Sequence, residues 1–98
     1  MSLILSITSN PEHRTLWEQL ATLHGQQEAE SDYADASRYL DLPHFDLNGW
    51  IAREATQETE RALAGITVDD PAAARAIYRA AFSAAYRATV QHLEQREA

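Results

Sequence analysis

Apolar positions fall into five stretches, punctuated by the three prolines, the three glycines and short acidic clusters. The first, "SLILSIT" at 2–8, is brief and of β-type composition, and reads as an extended arm. "SNPEH" then opens a helix: Asn10 or Ser9 can cap it, Pro11 suits its first turn and Glu12 complements the dipole. Leu16, Leu20 and Leu23 repeat at i, i+4 and i+7 as its apolar stripe, with Trp17 on the flank and Gly25 as the stop. That places a first helix at about 11–24.

Tyr33, Ala36 and Leu40 carry a weaker pattern that ends before Pro43, giving a second helix at about 28–41. Asp46 or Asn48 can cap a third, at about 47–64, whose stripe runs through Leu47, Ile51, Ala55 and Ala62. "LAGI" closes it with Gly65 as a C-cap and Ile66 folding back. "DDP" at 69–71 starts a fourth helix with Pro71 in its first turn, running to about 95. Short connections between four helices predict an all-α fold, a small four-helix bundle or orthogonal helical array with a short extended N-terminal segment, forming one domain over 1–98. The arm needs a partner for its backbone polar groups. "ITV" at 66–68 could supply one; a second copy of the chain is another.

On the fourth helix, a rotation of about 100° per residue gathers Tyr78, Phe82, Tyr86, Val90 and Leu93 within about 120° as a face of large side chains. Ile77, Ala81, Ala84 and Ala88 form a separate small-residue face, about 60° wide, that would let another helix approach. This predicts a central helix buried on two sides. Arg75 and Arg79 fall inside the large-residue face, where an arginine snorkels or meets an acid. Glu58, with Glu54 beside it, lies on the stripe of the third helix and is the predicted partner of Arg79 or Arg75 in a structural ion pair.

Composition refines this picture. Of the 98 residues 18 are alanine and only 26 are large and apolar, so the core is thin and a homodimer would add needed buried surface. Absence of cysteine excludes disulfides and thiolate chemistry, and absence of lysine excludes Schiff bases and a P-loop. No apolar run is long enough to span a membrane, and "MSLILSIT" lacks the basic start of a signal peptide. The expectation is a cytoplasmic bacterial or phage protein with no membrane role. The net charge of −7 is concentrated in residues 31–70, which hold nine acids against three arginines. Such a balance disfavours direct nucleic-acid binding and favours a basic protein partner.

Candidate chemistry is sparse. The four histidines, at 13, 24, 44 and 92, make none of the usual metal spacings, so no metal or cofactor is expected. No nucleophile elbow, Gly-rich phosphate loop or EF-hand occurs, and no enzyme activity is expected. A helix-turn-helix reader around Pro43 would present Asp46, Glu54, Glu58 and Glu60 to phosphate, which repels it. The most unusual stretch is "YLDLPHFDLNGW" at 39–50, an aromatic anchor ringed by acids. It nominates Asp41, His44, Phe45, Asp46, Trp50 and Glu54 as a partner-binding set suited to an arginine- or lysine-bearing surface. The expected function is a small non-enzymatic interaction module: an adaptor, assembly factor or regulatory subunit. The alternative is a phage- or plasmid-type inhibitor that mimics nucleic acid; a metal- or cofactor-dependent helical enzyme stands further off.

Overall fold

Helix starts are set by local side chains. Asn10 Oδ1 accepts from the Glu12 N–H at 3.0 Å, Asp46 Oδ1 from the Gly49 N–H at 3.0 Å and Asp70 Oδ1 from the Ala73 N–H at 3.1 Å. Each satisfies amide groups that a helix N-terminus leaves unpaired. The computed structural model describes residues 3–40 and 45–97. In chain order it contains strand β1 (Leu3–Leu5), helix α1 (Pro11–Leu40), helix α2 (Leu47–Leu63), strand β2 (Ile66–Val68) and helix α3 (Pro71–Glu97). The fold is all-α with a two-stranded accessory sheet, and the four-helix arrangement is corrected to three helices among the described residues.

The difference lies at Gly25. The first two expected helices are one 30-residue helix, about 45 Å at ~1.5 Å rise per residue, matching the 44 Å long dimension of the molecule. Gly25 is buried in its middle with no positive φ. A Cβ there would stand 2.5 Å from the Phe82 carbonyl oxygen and 3.1 Å from the Ala85 Cβ. The glycine is used for close approach of α1 to α3, not to end a helix. Gly65 likewise does not adopt the left-handed cap conformation; α2 ends with Ala64 as its C-cap, still right-handed.

The same packing reverses the expected faces of α1. Trp17, Ala21 and Ala29 are buried against α3, whereas Leu16, Leu20 and Leu23 are 58%, 38% and 47% exposed. A row of Trp17, Ala21, Gly25 and Ala29 is slim enough below the tryptophan to lie along α3 closely; a row of leucines is not. Trp17 fills the remaining gap, its ring 5.0 Å from Tyr78 and its Nε1 donating to the Ala74 carbonyl at 2.9 Å.

The large-residue face of α3 is the core, as its angles predict. Tyr78, Phe82, Tyr86 and Val90 are buried, with successive aromatic centroids 6.1 and 6.2 Å apart. Ile51, Ala55 and Thr59 of α2 close the other side, with the Thr59 hydroxyl donating to the Ala55 carbonyl. The small-residue face behaves otherwise: Ala84 and Ala88 are exposed, lining a shallow groove with Thr22 and Gln26 of α1.

β1 and β2 pair in parallel, Leu3 with Ile66, Ile4 with Thr67 and Leu5 with Val68. So short a ladder needs reinforcement. Asp69 provides it, accepting from the Ile7 N–H at 2.8 Å, the Thr8 N–H at 3.2 Å and the Thr8 hydroxyl at 2.6 Å. Ile7 is thereby seated in the core.

Candidate functional site

The most distinctive polar arrangement lies where α1 passes α2. On α1, Glu28 and Asp32 are four residues apart and so share a helix face. On α2, Glu54 and Glu58 share another by the same spacing. The fold turns these faces toward each other above the aromatic row of α3. Carboxylate oxygens of Glu28, Asp32 and Glu54 come within 4.8 Å of one another, all half-buried. Among the described residues none of the three stands in an ion pair.

Like charges at this distance in a partly desolvated setting bind protons. Burial first, then the negative charges of Asp32, Glu54 and Glu58 and a hydrogen bond to Glu54, push the Glu28 carboxyl up to about 7. Burial and Asp32 also raise Glu54, although the hydrogen bond from Glu28 draws it down. Both carboxyls therefore hold a proton more tightly than an ordinary glutamate does, Glu28 most of all.

The aromatic residues around the acids are hydrogen-bonded to them. The Tyr86 hydroxyl donates to Asp32 Oδ2 at 2.8 Å, and Trp50 Nε1 donates to the Tyr86 oxygen at 2.9 Å while lying 3.2 Å from the same Asp32 oxygen. Burial first, and then Asp32, hold the Tyr86 phenol protonated far above its ordinary range. Farther along, Tyr78 is hydrogen-bonded to His24 Nδ1 and is raised by burial and then by the charge of Glu58. Phe45 packs beside Trp50 at 6.1 Å, and the Arg53 guanidinium stands 5.9 Å from the Trp50 ring centroid, within cation–π reach.

Of the six residues nominated for partner binding, Phe45, Trp50 and Glu54 come together here. Asp46 is used at the α2 N-terminus as its cap. Asp41 and His44 lie outside the described residues. The predicted ion pair is corrected. Glu58 bonds Arg61 within its own helix at 2.6 Å, Arg75 reaches Glu60 at 2.7 Å, and the Arg79 Nε lies 3.4 Å from the Arg75 carbonyl. Arg75 emerges at the edge of its face, level with the outward-facing Glu60 rather than with Glu58.

Glu28, Asp32 and Tyr86 were not nominated from the sequence. Their signal in the sequence is the pair of acids at i and i+4 on each of two helices, a spacing that contains no histidine. Chemically, the three carboxyl groups form a cluster of oxygen acceptors that shares a hydrogen bond between Glu28 and Glu54. They can take hydrogen bonds from a guanidinium or ammonium group, and they are the group among the described residues close enough to share a hard, oxygen-seeking cation. With both tyrosines held protonated, the site offers no phenolate nucleophile.

Fold and site together describe a three-helix domain with a carboxylate cluster, in which the Glu28 carboxyl is pushed up to about 7, set beside an aromatic pair. No described helix is long and apolar enough to cross a membrane. Compared with known proteins, the chain matches no family model, no curated protein and no solved structure.

Proposed function

We propose that the protein is a small non-enzymatic interaction module whose Glu28–Asp32–Glu54 cluster, flanked by Trp50 and Phe45, engages an arginine- or lysine-bearing surface of a protein partner. One observation carries this reading: three clustered carboxylates with no ion-pair partner among the described residues, one of them raised by burial and then by its neighbours' charges. An incoming cation would relieve that repulsion, and protons held by the cluster would be released as it binds. Trp50 and Phe45 add an amphipathic surface over which a guanidinium can lie. The net charge of −7 steers a basic partner toward the molecule.

The test uses the full chain and an arginine-rich peptide as probe, with binding followed by calorimetry at two salt concentrations. The expected result is binding that weakens as salt rises and is accompanied by proton release, with both lost in the Glu28→Gln/Glu54→Gln double variant. Equal binding by that variant would overturn the site. Tight binding instead to a nucleic-acid enzyme, in competition with its DNA or RNA, would favour the inhibitor reading.

A further inference from the structure

Arginines with an acid three or four residues away on the same helix pair with it: Arg14 reaches Glu18 at 2.9 Å and Arg61 reaches Glu58 at 2.6 Å. Arg53 has no such partner to choose. The positions three and four residues on either side of it are Gly49, Trp50, Thr56 and Gln57, none of them acidic. Among the described residues Arg53 stands in no ion pair, and its guanidinium lies instead 5.9 Å from the centroid of the Trp50 ring. Glu54, the next residue, feels the same charge. Burial and then Asp32 raise that carboxyl, and the positive charge of Arg53 opposes them.

We infer that Arg53 is a built-in competitor, its guanidinium covering the Trp50 ring where a partner's arginine would lie, a role that rests on the site's taking a basic side chain as proposed above. The two halves of the contact differ in freedom. Trp50 is held: its Nε1 donates to the Tyr86 oxygen at 2.9 Å and lies 3.2 Å from Asp32, and Phe45 packs beside the ring. Arg53 is exposed and has no other bond among the described residues, so it can swing into solvent while the indole stays in place.

This arrangement makes the ring selective as well as covered. An uncharged ligand that displaced Arg53 would forfeit its attraction to the indole and replace it with nothing of the same kind. An arginine restores it, and adds its own attraction to the three carboxyl groups nearby. Affinity for a basic partner is lowered only by the fraction of molecules in which Arg53 covers the ring.

Calorimetric titration of the full chain with an arginine-rich peptide tests this, comparing the parent with Arg53→Gln and Arg14→Gln. Each variant loses one positive charge, but Arg14 precedes Asp32 by 18 residues on α1, about 27 Å along the helix. The titrations are run in about 0.3 M salt, where exposed charges farther apart than about 6 Å are largely screened. Arg53→Gln should bind about two- to fivefold tighter than Arg14→Gln, the range of one exposed cation–π contact. In the parent, the Arg53 Nε–H resonance, shifted by the indole ring, should move toward that of a free arginine as peptide is added. A peptide that binds the parent while that resonance stays in place, or an Arg53→Gln chain that binds no tighter than Arg14→Gln, overturns the competitor and leaves the binding site standing. A peptide that binds none of the three chains overturns the site and the competitor together, whereas binding by Arg53→Gln alone supports both.

Discussion

Gly25 of α1 lies so close to Phe82 of α3 that a Cβ on the glycine would meet the Phe82 carbonyl oxygen at 2.5 Å. A backbone oxygen cannot swing away as a side-chain tip can, so the helices themselves would have to part. Helix propensity argues the other way, since alanine is favoured over glycine by ~1 kcal/mol in a helix interior. Gly25→Ala is nonetheless expected to destabilise the protein by about 1–3 kcal/mol, as overpacking does. Chemical denaturation measures this directly. A more stable variant would mean that α1 and α3 lie farther apart than described.

The raised carboxyl of Glu28 makes stability pH-dependent in an unusual direction. Its folded pKa is raised from 4.5 to about 7, so between these values the folded protein binds more protons than the unfolded chain. Stability from this group is complete below pH ~4.5 and declines as pH rises through about 7. The carboxyl is well exposed to solvent screening, which limits the effect to about 1 kcal/mol. Glu28→Gln should flatten this part of the stability profile and raise the melting temperature above pH 7 relative to the parent.

Tyr86 joins α3 to α1 through Asp32 and to α2 through Trp50. Tyr86→Phe removes one donor and one acceptor from a half-buried network while keeping the ring. It should cost about 1–2 kcal/mol in denaturation. The indole N–H of Trp50 should also exchange faster, because only its longer bond to Asp32, at 3.2 Å, then remains.

Asp69 clamps the chain after β1 by accepting from Ile7 and Thr8, and these bonds hold its carboxyl below the ordinary 3.8. For a depressed carboxyl, the contribution to stability is present above the unfolded value and lost as pH falls through the folded one. Asp69→Ala should release the amides of Ile7 and Thr8 to rapid hydrogen exchange while those of α3 stay protected. The same release should appear in the parent only in strong acid, below pH 3.8.

Glu58→Ala should leave the melting temperature close to that of the parent. Its bond is to Arg61 on the same helix, and the arginine side chain is 73% exposed. Loss of that bond is offset by relief of the repulsion that Glu58 exerts on Glu28. A large loss of stability would instead point to an interhelical role like that first expected for this residue.

Several features of the fold were legible because their causes are local. Asn10, Asp46 and Asp70 cap helices that the chain itself announces, and Pro11 and Pro71 begin them. The large-residue face of α3 needed only helical periodicity. The partnership of "ITV" with the N-terminal arm could be anticipated from the need to pair backbone groups. In the candidate site, Phe45, Trp50 and Glu54 were recognisable because they are neighbours in sequence. Glu28 and Asp32 were not, since their meaning depends on Glu54, which lies 22 or more residues away on another helix.

The amino-acid sequence by itself determined that the chain is helical, where most helices start, and that α3 carries the aromatic core, because capping, propensity and periodicity act within a few residues. Only the tertiary structure decided which face of α1 is buried. Hydrophobicity favours the leucine stripe, but close packing against Phe82 and Ala85 selects the slimmer row through Ala21, Gly25 and Ala29. That choice turns a glycine from a stop into a contact and leaves three leucines facing outward. It also sets Glu28 and Asp32 against Glu54, where burial and mutual repulsion, absent in the extended chain, hold a proton.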